Sequence, residues 1–189
     1  MDIFLQAFLD AEPVWEHALR QLTWYHVLIA AAYLGAAWLC VLNGYIAKSS
    51  READAIWYVA AILLGVMAAN TVLHADVFLT HLGRSLSKLE GWYGERRLVQ
   101  YALVVVFALL ALWAVGWLRI AFTASDVPSE PVAWGLIALL ILLAVRTVSA
   151  HGTDAILNLR LVGVSFGRLL EFAGIGLVLH GASRCLRLR

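Results

Sequence analysis

An all-α integral membrane bundle, with five transmembrane helices behind a short N-terminal interfacial helix, is what three features of this 189-residue sequence predict. The chain is 62% hydrophobic and only 14% charged, where ordinary soluble domains carry about a quarter charged residues. Its mean hydropathy is +0.82, a surplus of apolar surface that a small globule cannot hide. Apolar segments long enough to cross about 30 Å of hydrocarbon recur between short polar turns. Such segments must be helical, because lipid offers backbone N–H and C=O groups no outside partner. Residues 1–189 read as one transmembrane helical domain.

Residues 2–11 set Ile3, Phe4, Ala7 and Phe8 between acids, a short amphipathic pattern suited to the membrane interface. Pro13 follows Glu12 and fits the first turn of a next helix, which runs through Trp15, His17 and Trp24 into a first span at about 23–47. The start is not that of a secretory signal: Asp2 has the wrong sign and no small-residue cleavage site follows. Lys48 to Asp54 forms a polar turn. A second span, about 55–80, continues as one helix to Leu89. The glycines of Gly91-Trp92-Tyr93-Gly94 break it, and Glu95-Arg96-Arg97 opens a third span at about 98–122. The fourth, about 132–150, is almost purely aliphatic until Arg146. The fifth, about 161–183, carries Arg168 and Glu171 in its first third, so four spans plus a half-inserted helix is the alternative. No internal repeat points to an inverted-repeat transporter.

Five alternating spans place the N-terminus, the loop around residues 82–97 and the loop around 151–160 on one side, face A. The basic residues divide evenly between the faces. The base-free acidic loop at 124–131 favours face A as cytoplasmic, in a bacterial inner (plasma) membrane. A net charge of +1 excludes the basic field of a nucleic-acid binder. Cys40 and Cys185 lack metal-type spacing and read as packing residues.

The same alternation gathers polar residues at face A. His26 opens the first span, Asn70, His74 and His81 lie near the end of the second, and Gln100 and Tyr101 open the third. Arg146, Ser149, His151 and Asp154 end the fourth, and Arg168 and Glu171 begin the fifth. Ionisable groups at membrane depth are costly and point inward to partners. Arg146 with Asp154, or Arg168 with Glu171, are the expected pairs. Histidines on different helices suit haem b or a metal ion, since neutral imidazole brings no charge into lipid. The candidate cofactor residues are therefore His26, His74, His151, Arg146 and Asp154, with His74 and His151 as metal ligands; Asp154 would orient the His151 ring. A histidine beside Arg, Gln and Tyr alternatively suits a quinone head group or a proton relay.

Plainer readings stand beside these. His26, His81 and Arg168 at span ends fit snorkelling, and His17 and His180 fit plain surface positions. The Trp-Tyr pairs at 24–25, 57–58 and 92–93 fit interfacial belts. Ala31/Gly35, Gly65/Ala69 and Gly163/Gly167 are small-xxx-small spacings for close helix contacts. Gly-rich phosphate loops, Cys-x-x-Cys, His-Glu-x-x-His and Gly-x-Ser-x-Gly do not occur. Trp24-Tyr25-His26, followed by an apolar helix with Gly35 and Trp38, resembles the opening helix of small haem-linked membrane oxidases of the protoporphyrinogen type. The resemblance covers about twenty residues. The later helices do not follow its pattern, and no residue role is carried over.

Two functions follow as expectations. The first is a redox-linked membrane subunit holding haem, quinone or a metal through the face A residues. The second is a non-catalytic accessory or assembly subunit, a partner in a larger complex or homo-oligomer, whose polar residues lock the bundle.

Overall fold

The computed structural model describes residues 2–47, 51–91, 94, isolated positions between 105 and 120, 130–148, 159–161 and 164–188. For 51–54, 144–148, 160–161 and 164 the backbone alone is described. The fold is helical: α1 (Ile3–Arg20), α2 (Trp24–Ile46), α3 (Arg51–Leu73), α4 (Ala75–Leu89), α5 (Glu130–Val148) and α6 (Phe166–Arg187). A two-residue antiparallel pairing, β1 (Arg160–Leu161) with β2 (Val164–Ser165), leads into α6. The Phe166 N–H closes that turn on the Leu159 carbonyl at 2.8 Å.

Among the described residues, three helices are long and apolar enough to cross a membrane: α2, the Ala55–Leu73 part of α3, and α6. That is fewer than the five predicted. The expected fourth span is α5, but its described apolar stretch, Glu130–Leu143, is shorter than a crossing needs. The expected third, 98–122, falls largely outside the described residues, although those described between 105 and 120 are helical. The fifth begins at Phe166, because the strand pair takes up the residues before it.

Helix α1 departs from expectation by running straight through Pro13 to Arg20. Asp2 caps it, its carboxylate accepting from the Phe4 N–H at 3.2 Å. Proline removes the N–H that the Leu9 carbonyl would use, and Leu9 and Pro13 are both exposed. The opposite face of α1 is held by α4. Ala7 and Ala11 are buried there, Phe8 and Trp15 pack on Phe78 with centroids at 5.5 and 5.2 Å, and the Ser85 hydroxyl donates to Asp10 at 2.7 Å. The helix stops at 21–23, where Thr23 and His26 start α2: the Thr23 N–H donates to His26 Nδ1 at 3.2 Å.

The second span does not continue into α4. His74 adopts a left-handed conformation, φ 48° and ψ 42°, between them, at a cost of about 1–2 kcal/mol for a non-glycine residue. Two side chains satisfy the backbone groups that the break releases. Asn70 Oδ1 accepts from the Asp76 N–H at 3.0 Å, and the Trp15 indole donates to the Leu73 carbonyl at 2.6 Å. The single helix predicted to continue to Leu89 is therefore broken at His74.

Helices α2 and α3 pack antiparallel, with Gly44 against Trp57 and Tyr58. Helices α5 and α6 also pack antiparallel, through Gly135 on Gly174 and Gly181 on Val132. A Cβ on Gly135 would lie 2.7 Å from the Gly174 carbonyl oxygen, so only glycine permits that approach. Helices α2 and α6 run parallel: Tyr33 bonds Glu171, and ten residues on Asn43 Nδ2 donates to the Ala182 carbonyl, each at 2.9 Å. Cys40 and Cys185 are buried in the core among these helices. Outward faces are apolar: Trp24, Val27, Leu28, Leu34 and Trp38 on α2, and Tyr58, Val59, Ile62, Val66 and Leu73 on α3. Such stripes suit acyl chains. By contrast Trp57, expected in an interfacial belt, is fully buried, and among the described residues a Cβ on Gly35 or Gly65 would meet nothing within 4 Å.

Candidate functional site

Antiparallel α2 and α3, with α6 parallel to α2, bring the start of α2, the end of α3 and the start of α6 to one level. The His26 and His74 rings meet there edge to face, with centroids at 5.1 Å. The Tyr25 ring lies 4.2 Å from that of His26, and the Arg168 guanidinium sits over Tyr25 at 4.0 Å, within cation–π range. Deeper in, Glu171 is only 5% exposed and its Oε1 accepts from the Tyr33 hydroxyl at 2.9 Å. A buried carboxylate needs such donors, because desolvation otherwise penalises its charge.

The hydrogen bonds fix part of the chemistry. His26 Nδ1 accepts from the Thr23 N–H and lies 3.0 Å from the Thr23 hydroxyl. A neutral His26 therefore carries its proton on Nε2 and offers a donor. His74 Nε2 is buried and, among the described residues, has no hydrogen-bond partner. An unmet buried polar atom is the kind of group that a ligand completes.

Of the residues singled out from sequence, His26 and His74 come together, joined by Arg168 and Glu171. Arg146 lies in the last turn of α5, and antiparallel packing puts that end of α5 toward the Arg168 end of α6. Its side chain is outside the described residues, as are His151 and Asp154, so the expected Arg146–Asp154 pair and the His74–His151 metal pair have no geometry here. Among the described residues no group of three His, Cys, Asp or Glu could hold a metal ion. His26 and His74 in ring contact leave no gap for a porphyrin between them. His81 lies on α4, past the break at His74, and His180 is exposed on α6. Sequence reading missed Tyr33 and Trp15. Tyr33 carried a usable signal, since it follows His26 by seven residues and so shares its helix face. Trp15 carried none, because its acceptor is a backbone carbonyl 58 residues away.

The chain matches no protein-family model, and neither curated proteins nor solved structures give a match. The likeness of residues 24–38 to haem-linked oxidases is thus without support from any family.

Proposed function

We propose that this protein is a redox-linked membrane subunit that binds a quinone-type head group at the His26–His74 end of its bundle. The observation that carries the reading is the buried, unpartnered Nε2 of His74 beside a His26 ring whose own Nε2 is a donor. A quinone carbonyl accepts such N–H bonds, and its flat ring suits the aromatic edge made by Tyr25 and the two imidazoles. Among haem, metal and quinone, quinone is the one for which the described residues suffice. Five crossings remain compatible with parallel α2 and α6, which need an odd number.

The test is saturable quenching of tryptophan fluorescence by a short-chain quinone, with the protein in lipid nanodiscs. His74→Ala weakens binding about tenfold or more, as expected for losing a hydrogen bond in a buried site, while Trp38→Phe on the outer face of α2 leaves it unchanged. Quenching that does not saturate, or that ignores His74→Ala, refutes the reading. A Soret band lost in the same variant replaces quinone by haem. The second reading, an accessory subunit, is favoured by the Tyr33–Glu171 and Asn43–Ala182 bonds, which join α2 to α6 as structural polar ties do. A colourless protein that binds no quinone and co-purifies with a larger complex supports it.

A further inference from the structure

Two helix breaks face each other at one level of the long hairpin: residues 21–23 between α1 and α2, and His74 between α3 and α4. Beyond that level α1 and α4 form a unit of their own, with Phe8 and Trp15 on Phe78 and Ser85 on Asp10. They pack chiefly on each other and little on α2 or α3. Side-chain ties across the level, among the described residues, are the Trp15 bond to the Leu73 carbonyl, the Asn70 bond from the Asp76 N–H and the His26–His74 ring contact. The helical ladder itself is interrupted there, because the Val77 N–H turns to the His74 carbonyl at 3.1 Å and leaves Leu73 to the indole.

We propose that α1 is a strap: with Trp15 bonded to Leu73 the α1/α4 arm is closed against the His26–His74 pair, and release of that bond swings the arm about the two breaks and opens His74. Trp15 travels with α4 in this motion, since it packs on Phe78. The left-handed backbone at His74 supplies the bending point. The strap governs access to the histidines whatever binds them, so it stands apart from the choice of head group.

The experiment uses the full chain in phosphatidylcholine vesicles and needs no ligand. Carbethoxylation of His74 by diethyl pyrocarbonate is followed by peptide mass spectrometry, with exposed His180 as the internal reference. Trp15→Phe keeps the ring on Phe78 and removes the N–H. The His74 rate rises about fivefold relative to His180, the size expected for one lost hydrogen bond. Asn70→Ala, which frees the Asp76 N–H at the same break, moves the rate in the same direction and serves if Trp15→Phe loses helicity. Unchanged ratios in folded variants overturn the strap. Cross-linking Asp10→Cys to Ser85→Cys leaves the opening of the Trp15→Phe protein intact; if it abolishes the effect, α1 peels from α4 instead of moving with it, and the proposal fails.

Discussion

At His81 the chemistry of one residue sets a pH dependence. Partial burial, and then the charges of Arg84 and Lys88, pull its imidazole below the usual histidine range. The unfolded chain therefore takes up a proton near pH 6.5, before the folded one does. Stability of α4 contributed by this group is full above that pH, declines as pH falls toward the lower folded value, and then levels off. An NMR titration should give His81 a midpoint below about 6.5 that moves up in Arg84→Ala; a midpoint in or above the ordinary histidine range contradicts the assignment. Buried Tyr33 offers a second test. Tyr33→Phe removes a donor from Glu171 and should destabilise the bundle by about 1 kcal/mol in detergent unfolding. Glu171→Gln, whose amide oxygen still accepts, should cost less. Equal costs would mean that the hydroxyl bond is not what places the carboxylate. His26 and His74 were legible from sequence because span direction alone brings their helix ends level. The conformation of His74 was not, since its side-chain caps come partly from a distant helix.

Helix by helix, glycine decides which faces meet. At Gly174 a Cβ would already lie 2.8 Å from the Leu139 side chain. Gly174→Val drives further methyls into that space and should cost at least about 1–3 kcal/mol and loosen α5 from α6. Gly35→Ala meets nothing within 4 Å among the described residues, so it should be neutral or stabilise by about 0.5–1 kcal/mol through helix propensity. Thermal unfolding of the two variants checks the contrast, and a destabilised Gly35→Ala would place an unseen contact on that face. Small-residue spacing is common to both helices, which is why sequence pattern favoured Ala31/Gly35 and Gly65/Ala69. A spacing states that close approach is possible, and the partner's shape selects where it happens. Gly135 and Gly174 pair because Val178 and Leu139 close around them, as Val132 does at Gly181. Similarly, apolar periodicity gave α2, α3 and α6 but overran α4, where a polar seam looks the same in a continued helix and in a separate amphipathic one.

Across the whole molecule, everything at the site depends on direction: α3 antiparallel to α2, α6 parallel to α2. Were α6 reversed, Arg168 and Glu171 would lie at the Asn43 end, far from both histidines. Hydropathy marked α2, α3 and α6 as long and apolar enough to cross a membrane, while the end of the second span needed the break at His74. The most direct measurement is therefore sidedness. Single cysteines placed at exposed Gln6 on α1 and exposed Arg187 at the end of α6 are probed with a membrane-impermeant maleimide in sealed, uniformly oriented vesicles. The account predicts that one is labelled from outside and the other only after the vesicles are opened. Labelling of both from the same side would contradict it, because α2 and α6 could not then cross in parallel and the His26, His74, Arg168 and Glu171 assembly would not exist.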